Sequence, residues 1–340
     1  MNKSVGTVAL LGMLLSLPAS AGQAQANPAD WMNRMSQAVE NLDYQGTFVY
    51  VHTLYSGEQS IDSMRITHIN SASGTRERLY SITGPQREII RTDKSVKCVF
   101  AEDRSVLVDN HVGRSLLPVL PLDDVLSSSA QYTLKMGVMG RVAGRRVQAV
   151  KIRPRDQYRY GYTLWLDVET GLPLKSVLHD ADEKGSTLAR LMFTDIRYGD
   201  AVDHSELTSE VPEERFELVS SPIPKTRAVS PDQPPRWSPA ELPSGFRLTS
   251  HNHEDRDNGN GMFEHLVYSD GLATVSLYIE TLADGQQAIP GLSRLGGMNA
   301  YVQQMDTLQI TGIGEVPEIT VKTLVNNVRQ VAGEQSSGGD

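Results

Sequence analysis

By residue type and spacing, the stretch best equipped for chemistry is His251-Asn252-His253-Glu254-Asp255-Arg256-Asp257, a short run of imidazoles and carboxylates. Counted as a calcium loop from Asp255, it puts Gly259 where a ligand oxygen is needed and Asn260 where the sharp turn needs glycine. It leads into Asn258-Gly259-Asn260-Gly261, so it reads as a solvated hairpin loop and no metal site is expected. Asp123-Asp124 and Glu213-Glu214 are adjacent carboxylates, but neighbours in a strand or loop diverge, so neither makes an acid/base pair. The chain contains no Gly-x-Ser-x-Gly elbow, P-loop, His-Glu-x-x-His or Cys-x-x-Cys. Cys98 is its one cysteine and has no disulfide partner within the chain; in Lys97-Cys98-Val99-Phe100 it reads as a small buried hydrophobe on a strand. No catalysis and no cofactor are expected.

Two patterns suit binding better than catalysis. Arg141, Arg145, Arg146, Lys151, Arg153, Arg155 and Arg159 concentrate positive charge in a chain whose net charge is −9. Lys151, Arg153 and Arg155 alternate, so they share one face if the strand runs that far, and they suit phosphates or acidic side chains. A solvated outer face is the plainer reading. In the stretch Tyr158–Asp167, Tyr158, Tyr160, Tyr162, Leu164 and Leu166 alternate onto one apolar face.

The elements that must position these residues follow from periodicity. Pro28–Asn41 reads as an amphipathic helix with Trp31, Met35, Ala38, Val39 and Leu42 at helical spacing. Strands are expected at Gly46–Tyr55, Ile61–Ile69, Arg76–Ile82, Arg87–Arg91, Val96–Phe100, Ser105–Asp109, Tyr132–Met139, Arg146–Arg153, Tyr158–Asp167, Leu172–His179 and Leu188–Tyr198. A short helix fits Leu120–Ser128. So many strands with so little helix imply a large antiparallel sheet whose apolar face is too wide for one helix to cover. Either the sheet curls on itself and side chains fill it, or its concave side holds a ligand or partner.

Between Val211 and Pro243 the composition breaks: Pro222, Pro224, Pro231, Pro234, Pro235 and Pro239 favour an extended connection. Beyond it, strands are expected at Phe246–His251, Met262–Ser269, Thr274–Glu280, Ala300–Met305 and Leu308–Val316, with a helix over Ile319–Val331. Asp270-Gly271 marks a tight hairpin turn. At the other end, Lys3, the apolar run Val5–Leu17 and the small-residue triplets ending at Ala21 and Ala26 read as a signal peptide cut after one of those alanines. The net charge of −9 argues against both nucleic acid and a membrane surface as partners, and removing Lys3 takes it to −10. The expected division is 1–26 signal, 27–215 large domain, 216–241 linker, 242–331 small domain and 332–340 disordered tail.

The stretch Leu42-Asp43-Tyr44-Gln45-Gly46-Thr47-Phe48-Val49-Tyr50 resembles the opening strand of the RseB/MucB family of envelope-stress regulators. Similar in the same way are Gly140-Arg141-Val142-Ala143-Gly144-Arg145, Arg159-Tyr160-Gly161-Tyr162-Thr163-Leu164-Trp165-Leu166-Asp167 and Thr170-Gly171-Leu172-Pro173-Leu174-Lys175-Ser176. Leu242-Pro243-Ser244-Gly245-Phe246, Tyr268-Ser269-Asp270-Gly271-Leu272 and Gly314-Glu315-Val316-Pro317 extend the likeness over nearly the whole mature chain. The resemblance implies a mainly β (α+β) protein: a LolA/LolB-like open half-barrel around an apolar cavity, then a smaller α/β domain. It implies a periplasmic, non-enzymatic regulator that binds the periplasmic region of an RseA/MucA-type anti-sigma factor. It further implies shielding of that region from site-1 proteolysis, with release on binding lipid or lipopolysaccharide. On this reading Phe48, Tyr50, Tyr158, Tyr160, Tyr162, Leu164 and Leu166 line the lipid cavity, and Arg145, Arg146, Lys151, Arg153 and Arg155 meet anionic head groups or the partner. A lipid or lipoprotein carrier is the alternative, although a simple carrier has no need of the second domain. A homodimer is left open.

Overall fold

The structure, a computed structural model, describes residues 27–54, 56–109, 130–181, 185–209, 217–220, 227–228, 234–256 and 261–331. The expected signal peptide, the Leu120–Ser128 helix, both adjacent carboxylate pairs and the 332–340 tail lie outside the described residues.

Helix α1, Pro28–Asn41, matches its expected bounds because its start signal is local: the Asn27 side chain accepts from Ala29 N at 3.1 Å, and Pro28 occupies the first turn. It buries Trp31, Met32, Met35, Ala38 and Val39 against a sheet, each large side chain contributing about 1.5–3 kcal/mol. That sheet has twelve strands. They are β1 Tyr44–Thr53, β2 Gln59–Ser71, β3 Gly74–Ser81, β4 Arg87–Thr92, β5 Val96–Phe100, β6 Ser105–Asp109, β7 Tyr132–Val142, β8 Arg145–Pro154, β9 Gly161–Asp167, β10 Pro173–His179, β11 Thr187–Tyr198 and β12 Glu217–Ser220. Their order is β12-β6-β5-β4-β3-β2-β1-β11-β10-β9-β8-β7. Every pairing is antiparallel except β12 with β6, so the strand from the proline-rich stretch extends the large sheet at one edge.

Register sorts the side chains by face, since directly opposed residues point the same way. One row runs Tyr50–Leu191–Ser176–Leu164–Val150–Met136 and belongs to the core side. The row on the other side runs Ile61–Val51–Arg190–Val177–Thr163–Lys151–Lys135. Trp31, Met35, Tyr44, Phe48, Ile66, Leu164, Leu166 and Phe193 form the core between α1 and the sheet. At Gly171 the chain takes φ 87° where α1 crosses the β9–β10 turn, and a Cβ there would lie 2.9 Å from Arg34 O, so only glycine fits.

A second sheet has seven strands in the order β13-β15-β16-β17-β20-β19-β18. These are β13 Arg227–Ala228, β15 Arg247–Arg256, β16 Gly261–Ser269, β17 Thr274–Thr281, β18 Gly291–Leu295, β19 Met298–Met305 and β20 Leu308–Gly314. Helix α2, Glu318–Asn326, packs Val321, Leu324 and Val325 into its core beside Leu266, Leu277 and Ile310. A small ribbon pairs β14 Trp237–Pro239 with β21 Val328–Gln330.

Four expectations need correction. The helix expected over Ile319–Val331 stops at Asn326, and Val328 turns into β21, where it is fully buried. His251–Arg256 belong to β15, not to a loop, because pairing with β16 runs on to Arg256↔Gly261. The Asp270 turn spans four residues between the pair Ser269↔Thr274, with Asp270 Oδ1 accepting from Leu272 N and Ala273 N at 2.9 and 2.7 Å. Strand β9 begins at Gly161, so Tyr158 and Tyr160 precede it, in a turn where Asp156 Oδ1 accepts from Tyr158 N at 3.0 Å. Strand β18 was not foreseen; its residues are mostly exposed, which leaves no alternation to read. Cys98 does lie in β5, although it is half-buried.

Candidate functional site

The residues expected to line a cavity separate into two groups. Phe48, Leu164 and Leu166 are at most 4% exposed and packed beneath α1, so side chains fill that part of the concave face. Tyr50 and Tyr162 are half-buried on the same face, beside the partly buried Met64, Ile89, Leu134 and Met136. Towards the Tyr162 end of the strands, the second sheet's domain closes on the first. Tyr162 Oη donates to Glu315 Oε2 at 3.0 Å, Asn299 Nδ2 donates to Tyr160 Oη at 3.0 Å, and Thr320 Oγ1 donates to Tyr158 O at 2.8 Å. The three tyrosines read as one aromatic stripe thus form three separate bonds across a domain junction. Burial pushes the Glu315 carboxyl up, opposed by the Tyr162 hydrogen bond. Burial also pushes the Tyr50 hydroxyl up to about 12, with Glu315 and Asp62 adding to it.

Beside these bonds lies a residue that sequence reasoning had counted only as one cation among seven. Arg159 is wholly buried and binds Asp270 of the β16–β17 turn, Asp156 of its own turn and the carbonyl of Ser244. Tyr132 Oη donates to the same Asp270 carboxylate at 2.9 Å, and the guanidinium sits 5.0 Å from the Phe246 ring centroid. Asp270 therefore holds its own turn with one oxygen and the other domain with the second. Spacing carried no signal for this, since Arg159 and Asp270 are 111 positions apart.

The basic residues also separate. Arg145 is bound to Asp167 and to Glu169, the latter at 2.6 Å, and lies over the Tyr198 ring, which makes it structural. Strand β8 ends at Pro154, so Arg155 leaves the expected row and turns its Nε to Tyr132 O at 3.4 Å. Arg146, Lys151 and Arg153 are exposed. Register adds two cations that sequence had not grouped with them: Lys135 opposes Lys151, and Arg190 lies in the same row. His179, bonded to Thr163 Oγ1 at 2.9 Å, has its pKa lowered by burial first and then by Arg153, Arg190 and Lys151. Exposed Ile61 stands in that row, and Met192 is two residues beyond Arg190 on the same strand.

One large, mostly antiparallel open sheet, a small second domain and a hydrogen-bonded junction between them define a two-domain β protein. Comparison with known proteins defines it further. Residues 27–211 match the MucB/RseB N-terminal domain and residues 231–329 the MucB/RseB C-terminal domain. The chain belongs to the MucB/RseB family. It is 32% identical over 338 residues to the sigma factor AlgU regulatory protein MucB of Pseudomonas aeruginosa, covering 98% of this chain and 99% of that protein. It is 25% identical over 321 residues to the sigma-E factor regulatory protein RseB of Escherichia coli K12, covering 91% and 93%. Among solved structures, the Pseudomonas aeruginosa MucA/MucB complex superposes with a TM-score of 0.66 at 30% identity, covering 91% of this chain and all of that one. A crystal structure of MucB in complex with MucA(peri) gives the same TM-score and identity over 90% of this chain. These relatives are regulatory proteins, not enzymes.

Proposed function

We propose that this protein is a periplasmic regulator that binds the periplasmic region of a MucA/RseA-type anti-sigma factor and keeps it from site-1 cleavage. One observation carries the reading: both family domains are present, and the chain aligns along nine-tenths of its length with MucB structures bound to MucA. Binding lipid or lipopolysaccharide releases the partner, the acyl chains lying along the half-buried Tyr50, Met64, Ile89, Leu134 and Met136 at the margin of the core. Protection works by occupancy, so it follows the bound fraction, and a competing lipid lifts it in proportion. The test is cleavage of the purified anti-sigma periplasmic region by its site-1 protease, with this protein and lipopolysaccharide varied independently. Protection that saturates with binding and falls with added lipid is expected. Equal protection of an unrelated substrate of the same protease would overturn shielding, and protection unchanged by lipid would overturn the release step.

A further inference from the structure

A cleft of about 670 Å³ opens at the domain junction, lined from the large domain by Tyr160 and Asp180 and from the small one by Arg294, Asn299, Lys322 and the start of α2. Its hydrogen-bonding groups are specific. Asn299 is 1% exposed, and its Nδ2 donates both to Tyr160 Oη and to Val316 O, at 3.0 and 2.7 Å. A main-chain carbonyl only accepts, so the amide's orientation is settled and its other end is the acceptor Oδ1. That Oδ1 is buried and, among the described residues, has no partner. A buried acceptor left unpaired costs about 1–3 kcal/mol, and Asn299 lines the cleft, so an N–H donor seated there would satisfy it.

Beside this acceptor, groups that can hold an anion share the cleft with the carboxylates of Asp180 and Glu318. Arg294 lies directly opposite Asn299 in the β18–β19 register, and its Nη2 is 4.0 Å from Asp180 Oδ2, too long for a hydrogen bond. Tyr160 Oη accepts from Asn299 and so keeps its own proton to donate. Helix α2 is preceded by Pro317, which gives no side-chain cap; Thr320 N already bonds Pro317 O at 2.9 Å, so the N–H groups of Glu318 and Ile319 and the positive dipole end are what the helix offers a ligand. Lys322, already bound to Glu318, adds positive charge at greater remove.

We infer that this cleft binds the carboxyl-terminal residue of an extended peptide, its carboxylate on Arg294 and the Tyr160 hydroxyl, its last amide N–H on Asn299 Oδ1. In a peptide's final residue one Cα separates the donor from the anion, which fits an acceptor amide hydrogen-bonded to the hydroxyl that would hold the anion. A phosphate brings no N–H for Asn299 and carries more negative charge towards Asp180 and Glu318 than a carboxylate does. This ligand is distinct from the lipid and the anti-sigma segment, so its failure would leave the regulatory reading standing.

The test is fluorescence anisotropy on the full chain with N-terminally labelled pentapeptides ending in Ala, Leu, Phe or Lys, each as free acid and as carboxyl amide. At least one free acid is expected to bind, with its amide weaker by at least about tenfold, because a charge-assisted pair is lost. Arg294→Ala, an exposed position, should weaken the free acid by a similar factor and leave the melting temperature unchanged; Tyr160→Phe should weaken it less. Equal binding of acid and amide, an Arg294→Ala variant with unchanged affinity, or no binding by any peptide would overturn the proposal. So would inorganic phosphate binding as tightly as the best free acid, since that would make this an oxyanion site.

Discussion

Two arginine-centred regions of this molecule began as one run of positive charge and ended with opposite physical roles. On the outer face, Lys151 and Arg153 of that run, joined through register by Lys135 and Arg190, stand in solvent. At the junction, Arg159 is completely removed from water and meets Asp270, Asp156, the Ser244 carbonyl and two aromatic rings. The difference shows that a cation's worth to the fold depends on what happens to its partner when it is removed. Solvent replaces a lost partner at the surface; in the interior nothing does.

That comparison is broken most directly at the junction. Arg159→Ala takes the guanidinium from the buried Asp270 carboxylate, which keeps the Tyr132 hydroxyl as a donor across the junction, and should cost about 3–5 kcal/mol by urea denaturation. It should also free the two halves from each other. After a protease nick between residues 221 and 233, the wild-type fragments should co-elute on size exclusion and those of Arg159→Ala should separate. Wild-type fragments that part at once would mean the clamp does not hold the domains together.

The next effect in size concerns Glu315. Burial raises its carboxyl pKa above the unfolded value, so its favourable contribution is complete below the unfolded pKa and is lost as pH rises through the folded one. Relative to Glu315→Gln, the wild type should therefore gain stability on acidification from pH 7 towards 4. Tyr162→Phe removes the bond that opposes the shift and should steepen this dependence. Thermal melts across that range measure it; a wild-type curve parallel to Glu315→Gln would refute the assignment.

The smallest effect is expected on the outer face. Lys151→Ala with Arg190→Ala should change stability by no more than about 0.5 kcal/mol each. If either costs as much as Arg159→Ala, the contrast between the two regions fails.

Much of this was legible from sequence where the signal was local. Asn27, Pro28 and the apolar stripe behind them delimit α1. The alternation Tyr162, Leu164, Leu166 against Gly161, Thr163, Trp165 describes β9, and Val96–Phe100 and Ser105–Asp109 stand at their expected ends. The same alternation misled at Tyr158 and Tyr160, because period two persists in the residue types after the backbone has left the sheet. Sequence alone thus determined the β-rich class, the family and the core-facing alternation inside strands such as β9, since each depends on neighbours a few positions apart or on motifs in order. Tertiary structure decided that Arg159 meets Asp270, that Lys135 and Arg190 join Lys151, and that Asn299 and Arg294 meet Tyr160 in one cleft. Those pairings join strands far apart in sequence, and burial and sheet register, which set their strength, exist only once the chain has closed on itself.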